Sequence, residues 1–528
     1  MTSFTSELML PSTDRSVGES LSDLIEQRAS RMGTQTYIEH ARRERRLSFR
    51  ELADDVEHWS GFFERSRIPV GSTVGLVISD PIDFSVAFLA TIATGRWAAP
   101  LDPSTPVQEA GGMAAAIARV EADIVIADRA LPGGLDVDWV HLEDASLDRA
   151  VIASSTATEP LRSEPGGAVL ASSGTTGVPK VVPLHQSQLL HTARSVSTHH
   201  ALTSSDRGFN PLPLFHINAE VVGLLSAIVA GSSLVLDDRF HRTDFWQLMA
   251  ERRITWINAV PAIISRLADP GPVEIVPRRI RFIRSASAPL PAATAARFEA
   301  NTGVPVVETY GMTEAGSQIT ANPVSGLRKP GSVGLPVGVE LRVVAGSSPD
   351  DEASAPVDGL GIGHVEIRGP SVITAYGGGH HGDRIDVDGW LRTGDLGHFD
   401  EDGYLYLDSR VDDVINRGGE KVFPREIEEM ILVDPEVAAV AVVGAPDPEL
   451  GQVPVAFLVL YGAKEATRAR AEATLARVRE QLNSALVRSK RPVTLNVVVE
   501  LPAGPTGKVR RRDLSDTAPT VSYRLDCR

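Results

Sequence analysis

Apolar positions fall into two rhythms over the first two thirds of the chain. Leu21, Leu24 and Ile25, followed by Arg28 and Arg31, have the spacing of one helix face. Leu47 to Leu52 opens a second helix, with Ser48 as its cap and Glu51 three residues on. Between such stretches stand short, almost wholly apolar runs at 74–78, 124–127, 168–171, 233–236 and 256–260. The first is followed by Asp80-Pro81 and a helical stretch at 84–95. Continuous apolar runs suit strands buried on both faces, so the alternation predicts an α/β fold of mostly parallel sheets covered by helices. Two further runs, 280–283 and 304–307, end just before polar clusters.

After Pro330 the texture changes to Gly, Pro and Val with short alternating runs at 340–344 and 364–368. Asp402-Gly403, between Phe399 and the run 404–407, is a hairpin signal, so an antiparallel β unit is expected here. From Arg410 a charged loop leads to a helix at 425–432, strands at 437–443 and 453–460, a long helix at 466–486 and a strand at 493–499. That is a compact α+β unit. A boundary near Ser409 divides the chain into a large domain, 1–409, and a small one, 410–528, with 1–16 a loose lead-in.

Composition narrows the partners. A chain of 528 residues exceeds one ordinary core, and 42% hydrophobic with 23% charged residues is a globular composition. The formal charge of -16 argues against nucleic acid or an anionic membrane surface as partner, so any nucleotide site must be locally basic. The single cysteine, Cys527, leaves no internal disulfide and no multi-cysteine metal site. Residues 1–15 lack a basic segment followed by an apolar core, and the most apolar stretch, 221–230, is too short to span a bilayer. No integral membrane association and a cytoplasmic location are expected. Composition leaves monomer and homodimer open. The adjacent His380 and His381 lack further spaced ligands and read as loop, not metal site.

The chemistry begins where the run 168–171 gives way to Ser172-Ser-Gly-Thr-Thr-Gly-Val-Pro-Lys180. Glycines let backbone N–H groups turn towards an anion, hydroxyls add donors, and a lysine adds compact positive charge. The segment reads as a phosphate loop, although alone it could be a surface turn. It is not a Walker A loop, because Pro179 stands where GxxxxGK[ST] needs its second glycine. Glu308-Thr-Tyr-Gly-Met-Thr-Glu314 and Ser285-Ala-Ser-Ala-Pro-Leu290 each follow a predicted strand, and ligands of α/β sheets bind at such carboxyl ends. Trp390-Leu-Arg-Thr-Gly-Asp395, Ser409-Arg410 through Gly418-Gly419, and Pro502-Ala-Gly-Pro-Thr-Gly-Lys508 complete the set.

In order and spacing these segments closely resemble the acyl-adenylate-forming superfamily of acyl-CoA synthetases, peptide-synthetase adenylation domains and firefly luciferase, from about Ser20 to Leu514. The resemblance implies two stacked α/β subdomains plus a β barrel from about residue 330, and a small mobile C-terminal domain. It implies a carboxylate attacking the α-phosphorus of ATP, then transfer of the acyl group to a thiol. An ionised carboxylate needs no general base, so the protein's task is alignment and charge neutralisation. By the same resemblance Thr175, Thr176, Gly177 and Lys180 enclose the β- and γ-phosphates, with Ser172, Ser173 and Gly174 in the same loop. Glu314 holds Mg²⁺ and Thr313 contacts the α-phosphate. Tyr310 stacks on adenine beside the Ser287-Ala288-Pro289 backbone, Glu308, Thr309 and Gly311 complete that nucleotide motif, and Asp395 accepts the ribose hydroxyls with Arg410 nearby. Lys508 bridges the transferring phosphoryl oxygens and the substrate carboxylate. Asp412 is the hinge, Gly418 and Gly419 swing in to open a channel for coenzyme A, and His216 borders the carboxylate pocket.

Three departures stand out: Val181 and Ser409 replace common glycines, and Ala286-Ser287-Ala288 stands where glycines are frequent. They put close backbone approach in doubt rather than the chemistry. Amino-acid-activating relatives carry an aspartate where this chain has His216, so a plain carboxylic acid is expected, with 221–230 and 260–264 as candidate lining of an apolar acyl pocket. Glu220 would be costly there unless paired or solvated. The expected partners are a small carboxylic acid, ATP and CoA, or a carrier protein in trans as acceptor. A nucleotide-binding protein without activity is the third reading, disfavoured by intact Lys508, Glu314 and Lys180.

Overall fold

The computed structural model describes residues 19–106, 112–131, 135, 137–143, 166–172, 180–268, 275–345, 361–377, 384–463, 466–504 and 509–525. Two α/β sheets dominate its first part. The six-stranded sheet runs in the order Asp138–His141, Ile124–Ala127, Thr73–Val77, Trp97–Pro100, Gly167–Ser172, Lys180–His185. All neighbours are parallel except the last pair. The nine-stranded sheet has a parallel centre from Thr36–His40 through Ser233–Leu236, Arg207–Asn210, Trp256–Ala259 and Phe282–Ser285 to Val306–Met312. Antiparallel strands close both its ends.

One apolar core joins the sheets. Ile38, Leu234 and Phe282 from one and Leu76, Ile126 and Ala168 from the other meet side chains of the helices Phe49–Arg65, Pro81–Ala93 and Gln186–His199. A second cluster covers the far face of the nine-stranded sheet, and a third the far face of the six-stranded one. The α/β class expected from the alternation is the one observed. A local signal also holds: Ser48 forms the expected capping box with Glu51, and Ser20, not singled out in the sequence, forms another with Asp23. The helix predicted at 84–95 begins earlier, at Pro81, because Asp80 caps the Ile82 and Asp83 amides and Pro81 suits the first helical position.

Three other elements differ from the sequence pattern. Residues 308–312 lie within a strand, not beyond one, because 309–312 pair antiparallel with Ser317–Ala321. The stretch 221–230 is a π-helical segment, Asn218–Leu225, running into the helix Ser226–Ala230, and it is core, not pocket lining. The charged loop after Arg410 contains a hairpin, Ile415–Arg417 with Glu420–Val422, turned by Gly418 and Gly419 at φ 59° and 91°. Two consecutive positive φ values are what a two-residue type I′ turn needs.

The antiparallel β unit is a four-stranded sheet, Glu340–Val344, Gly363–Arg368, Leu391–Phe399, Leu405–Arg410, bridged to the nine-stranded sheet at Gly334 and Leu405. From Ile415 the chain has its own six-stranded sheet and its own apolar cluster, with the helices Pro424–Ile431 and Arg468–Ala485 packed on it. Strand Val521–Arg524, which the sequence pattern did not single out, pairs with Thr494–Val498 at one edge. Among the described residues no helix is long and apolar enough to cross a membrane.

Candidate active site

The carboxyl ends of parallel strands in the two sheets deliver the polar clusters. The strand Gly167–Ser172 runs into the phosphate-loop motif, and Lys180 begins the returning strand. Ser173, Gly174, Thr175, Thr176 and Gly177 lie outside the described residues, as do the side chain of Ser172, the pair His380-His381 and Lys508. Lys180 Nζ sits 4.8 Å from the ring centroid of Tyr376. The Tyr376 hydroxyl donates to Glu314 Oε1 at 3.3 Å, and Arg384 Nη1 is 4.0 Å from the same oxygen. Burial, with the Glu314 charge adding, pushes the Tyr376 phenol up to about 12. Glu314 is buried in the short turn Thr313–Ala315, with Thr313 half-buried at its start. A buried carboxylate with a guanidinium beside it, and a lysine on the far side of the tyrosine that bonds it, suits a hard divalent ion carried in with a polyphosphate. Tyr376 and Arg384 carry no motif signal and were missed in the sequence; only their approach to Glu314 picks them out.

A second group forms on the β unit. Tyr310 donates to Asp395 Oδ2 at 2.5 Å, and Arg410 Nε is 3.5 Å from Asp395 Oδ1, across the register of strands Leu391–Phe399 and Leu405–Arg410. Burial first, then Asp395, raises the Tyr310 phenol well above its ordinary value. Thr393 Oγ1 accepts the Asp395 amide at 3.1 Å, which aims the carboxylate. Gly394, at φ 83°, brings the backbone within reach of both Arg384 and Arg410.

The loop after Phe282–Ser285 retains a glycine-like backbone without a glycine. Ser287 has φ 73°, a left-handed conformation costing a serine roughly 1 kcal/mol or more. Ser287, Ala288 and Pro289 therefore make the turn that glycines would make more cheaply. Thr309 Oγ1 ties the next strand to this one by donating to Ser285 O at 3.0 Å. Glu308 is buried with Oε1 unpartnered among the described residues. Burial pushes its carboxyl up to about 7 from 4.5, against the pull of Arg425 and the Leu290 amide, with Glu429 adding to the rise. The unfolded chain therefore ionises first. Stability contributed at Glu308 is full below pH 4.5, declines as pH rises towards about 7, and is level above that. Glu308→Gln should gain up to about 3 kcal/mol on the wild type between pH 5 and pH 8, measured by urea unfolding at both; an equal difference at the two would contradict this.

His216 stands beside Phe215, ring centroids 4.6 Å apart, in the wall of a cavity of about 210 Å³ shared with Leu212, Asn218, Val260, Ile263 and Ser287. Of the expected lining, 260–264 contributes and 221–230 does not. Glu220 is fully buried with neither oxygen partnered among the described residues, and burial raises its carboxyl well above the ordinary value, which favours the uncharged form. Gly418 and Gly419 are exposed at their hairpin tip. A Cβ on Gly419 would meet nothing within 4 Å among the described residues, so this arrangement does not pack the hairpin tip on the described site residues. Asp412 is exposed in the turn Val411–Asp413 that links the β unit to the C-terminal sheet.

A carboxylate beside an arginine, a Tyr–Asp–Arg group and a small cavity, on a chain of two α/β sheets followed by a separate α+β unit, agree with an adenylate-forming enzyme. The family model for AMP-binding enzyme matches residues 25–377, and that for AMP-binding enzyme C-terminal domain matches 426–508. The chain belongs to the AMP-binding enzyme family. It is 36% identical over 519 residues to sulfoacetate–CoA ligase of Cupriavidus necator, covering 96% of this chain and 99% of that protein. To oxalate–CoA ligase of Arabidopsis thaliana it is 33% identical over 465 residues, covering 84% and 88%. The structure of ATP-bound MatB from Rhodopseudomonas palustris superposes with a TM-score of 0.81 at 27% identity, covering 94% of this chain and 98% of that one.

Proposed function

We propose that this protein is an AMP-forming ligase that joins a small carboxylic acid to coenzyme A in the cytoplasm. The observation that supports the reading most is that Lys180, Tyr376, Glu314 and Arg384 form one group and Tyr310, Asp395 and Arg410 another, with Arg384 and Arg410 both close to Gly394; His216 walls a separate small cavity. The acid's carboxylate oxygen bonds to the α-phosphorus of ATP and pyrophosphate leaves. The CoA sulfur then bonds to the acyl carbon, AMP leaves with the electron pair, and the thiol proton passes to water. Lys180 and Arg384 neutralise phosphate charge, while Asp395 holds the ribose and Tyr310 packs on the base. Mg²⁺, held at Glu314, supplies further charge neutralisation on the polyphosphate. Lys508 aligns the carboxylate with the α-phosphate.

The domain boundary near Ser409 and the hinge at Asp412 belong to the same proposal. The turn Val411–Asp413 is the short link between the β unit and the C-terminal sheet, so a few torsions there would exchange Lys508 for the Gly418-Gly419 hairpin between the two steps. A cavity of about 210 Å³ is below the range of drug-sized sites and supports a small acid. Relatives named for sulfoacetate and oxalate agree with that size.

The test is a panel of acids with purified protein, ATP, Mg²⁺ and CoA, following AMP and thioester, with hydroxylamine trapping when CoA is omitted. AMP and acyl-CoA should appear in equal amounts with small acids. Acyl-AMP trapped without any thioester would replace CoA by a carrier protein as acceptor, and no AMP with any acid would sink the ligase reading.

A further inference from the structure

Arg284 is a buried cation with no anion. It points inward from the strand Phe282–Ser285, is 1% exposed, and has no carboxylate within 4.0 Å among the described residues. Burial lowers its guanidinium only to about 9, so it is charged at neutral pH. Its partners are three neutral amides: Nη1 donates to Asn218 Oδ1 at 2.7 Å and Asn258 Oδ1 at 3.2 Å, and Nη2 donates to Gln318 Oε1 at 3.3 Å. The carboxyl of the buried Glu220, two residues from Asn218, is raised well above its ordinary value by burial, and it makes no ion pair with Arg284 among the described residues.

A guanidinium only donates, so each of these amides must turn its oxygen towards Arg284 and its NH₂ away. Asn258 Nδ2 then finds Asn210 Oδ1 at 2.9 Å, and Asn210 Nδ2 finds Leu212 O at 3.2 Å. Asn218 Nδ2 and Gln318 Nε2, on side chains buried to 7% and 1% exposure, find no acceptor among the described residues. Asn218 stands in the wall of the cavity beside His216. Buried donors are ordinarily satisfied, and a buried charge is ordinarily paired. Asn218, whose donor end faces the cavity with the Arg284 charge behind it, is placed to meet an oxygen-rich anion.

We infer that the acid activated by this enzyme carries a second anionic group, carboxylate or sulfonate, received in the cavity by the NH₂ end of Asn218, with Arg284 behind it. The inference rests on the ligase reading and names its substrate class, a small dianionic acid. Asn218 is then a specificity-determining residue. Arg284 is a positioning residue, which fixes the Asn218 amide in its donor orientation and supplies the balancing charge.

The test compares oxalate, malonate and sulfoacetate with propanoate and butanoate, by pyrophosphate release and thioester formation, in the wild type and three variants. The wild type should favour the dianionic acids by about 100-fold or more in kcat/KM, the effect of a desolvated charge-assisted contact. Asn218→Asp keeps the acceptor for Arg284 but turns the donor into a negative group. Its preference should collapse to within about threefold of parity, chiefly through the KM of the dianions. Arg284→Lys should retain part of the preference and Arg284→Met none, with KM for ATP unmoved. Turnover of propanoate and butanoate at equal or better efficiency would overturn the inference and leave the ligase reading standing. An undiminished preference in Asn218→Asp would overturn the assignment of this site. No AMP release with either class would overturn the ligase reading and this inference with it.

Discussion

Lys508→Ala should lower acyl-AMP formation by on the order of 10³-fold, while thioester formation from presynthesised acyl-AMP and CoA continues near the wild-type rate. The asymmetry follows from the chemistry. In the first step negative charge must meet negative charge: a carboxylate approaches a phosphate already carrying ATP's oxygens. No base is required, so the barrier is set by alignment and by cations placed at the reacting oxygens. A lysine ammonium that bridges the carboxylate and the α-phosphate does both. In the second step the electrophile is a neutral acyl carbon and AMP departs, so that ammonium has no comparable duty. Pyrophosphate exchange reads the first step and AMP release from acyl-AMP reads the second. Equal losses in both would show that Lys508 acts on folding or on nucleotide binding instead.

The second large effect is steric. A Cβ on Gly311 would lie 1.6 Å from Ser317 O and 2.6 Å from Ser317 C, both backbone atoms, so no rotamer change can relieve the clash. The contact arises where the register between Val306–Met312 and Ser317–Ala321 shifts at Tyr310 and Gly311, with Ser317 at φ 105°. This tight return places Thr313 and Glu314. Gly311→Ala must therefore either part the two strands or move the Glu314 turn, at a cost of about 3 kcal/mol or more, and adenylation should fall with it. Gly61→Ala is the control. Its added methyl meets only the end of the Arg65 side chain, in the helix Phe49–Arg65, and should be neutral or stabilising by up to about 1 kcal/mol. Thermal melts of the two variants separate the cases; equal stability would remove the steric account of Gly311.

Local pattern carried much of the architecture. Short apolar runs at 124–127 and 233–236 became buried strands at those positions, and capping residues such as Ser48 and Glu51 closed the loops they were expected to close. These signals are legible because periodicity and capping act within a few residues. Where pattern misled, pairing with a distant strand decided. Residues 308–312 are polar enough to read as loop, yet their partners at 317–321 hold them extended. The glycine pair at 418–419 reads equally as loop or turn until the flanking strands pair.

The sequence by itself determined the class of fold, the order of its units and the inventory of chemistry: hydroxyls and glycines before a lysine, a carboxylate after Tyr310, an acid after Gly394. Tertiary structure alone decided which of those groups meet. Tyr310 reaches Asp395 across 85 positions of chain, and Tyr376 reaches Glu314 across 62. The buried Arg284 collects Asn218, Asn258 and Gln318 from three separate elements. The reason is physical. A side chain's face is set by the backbone period around it, but its neighbours are set by strand order and register, and these come from burying all the apolar faces at once.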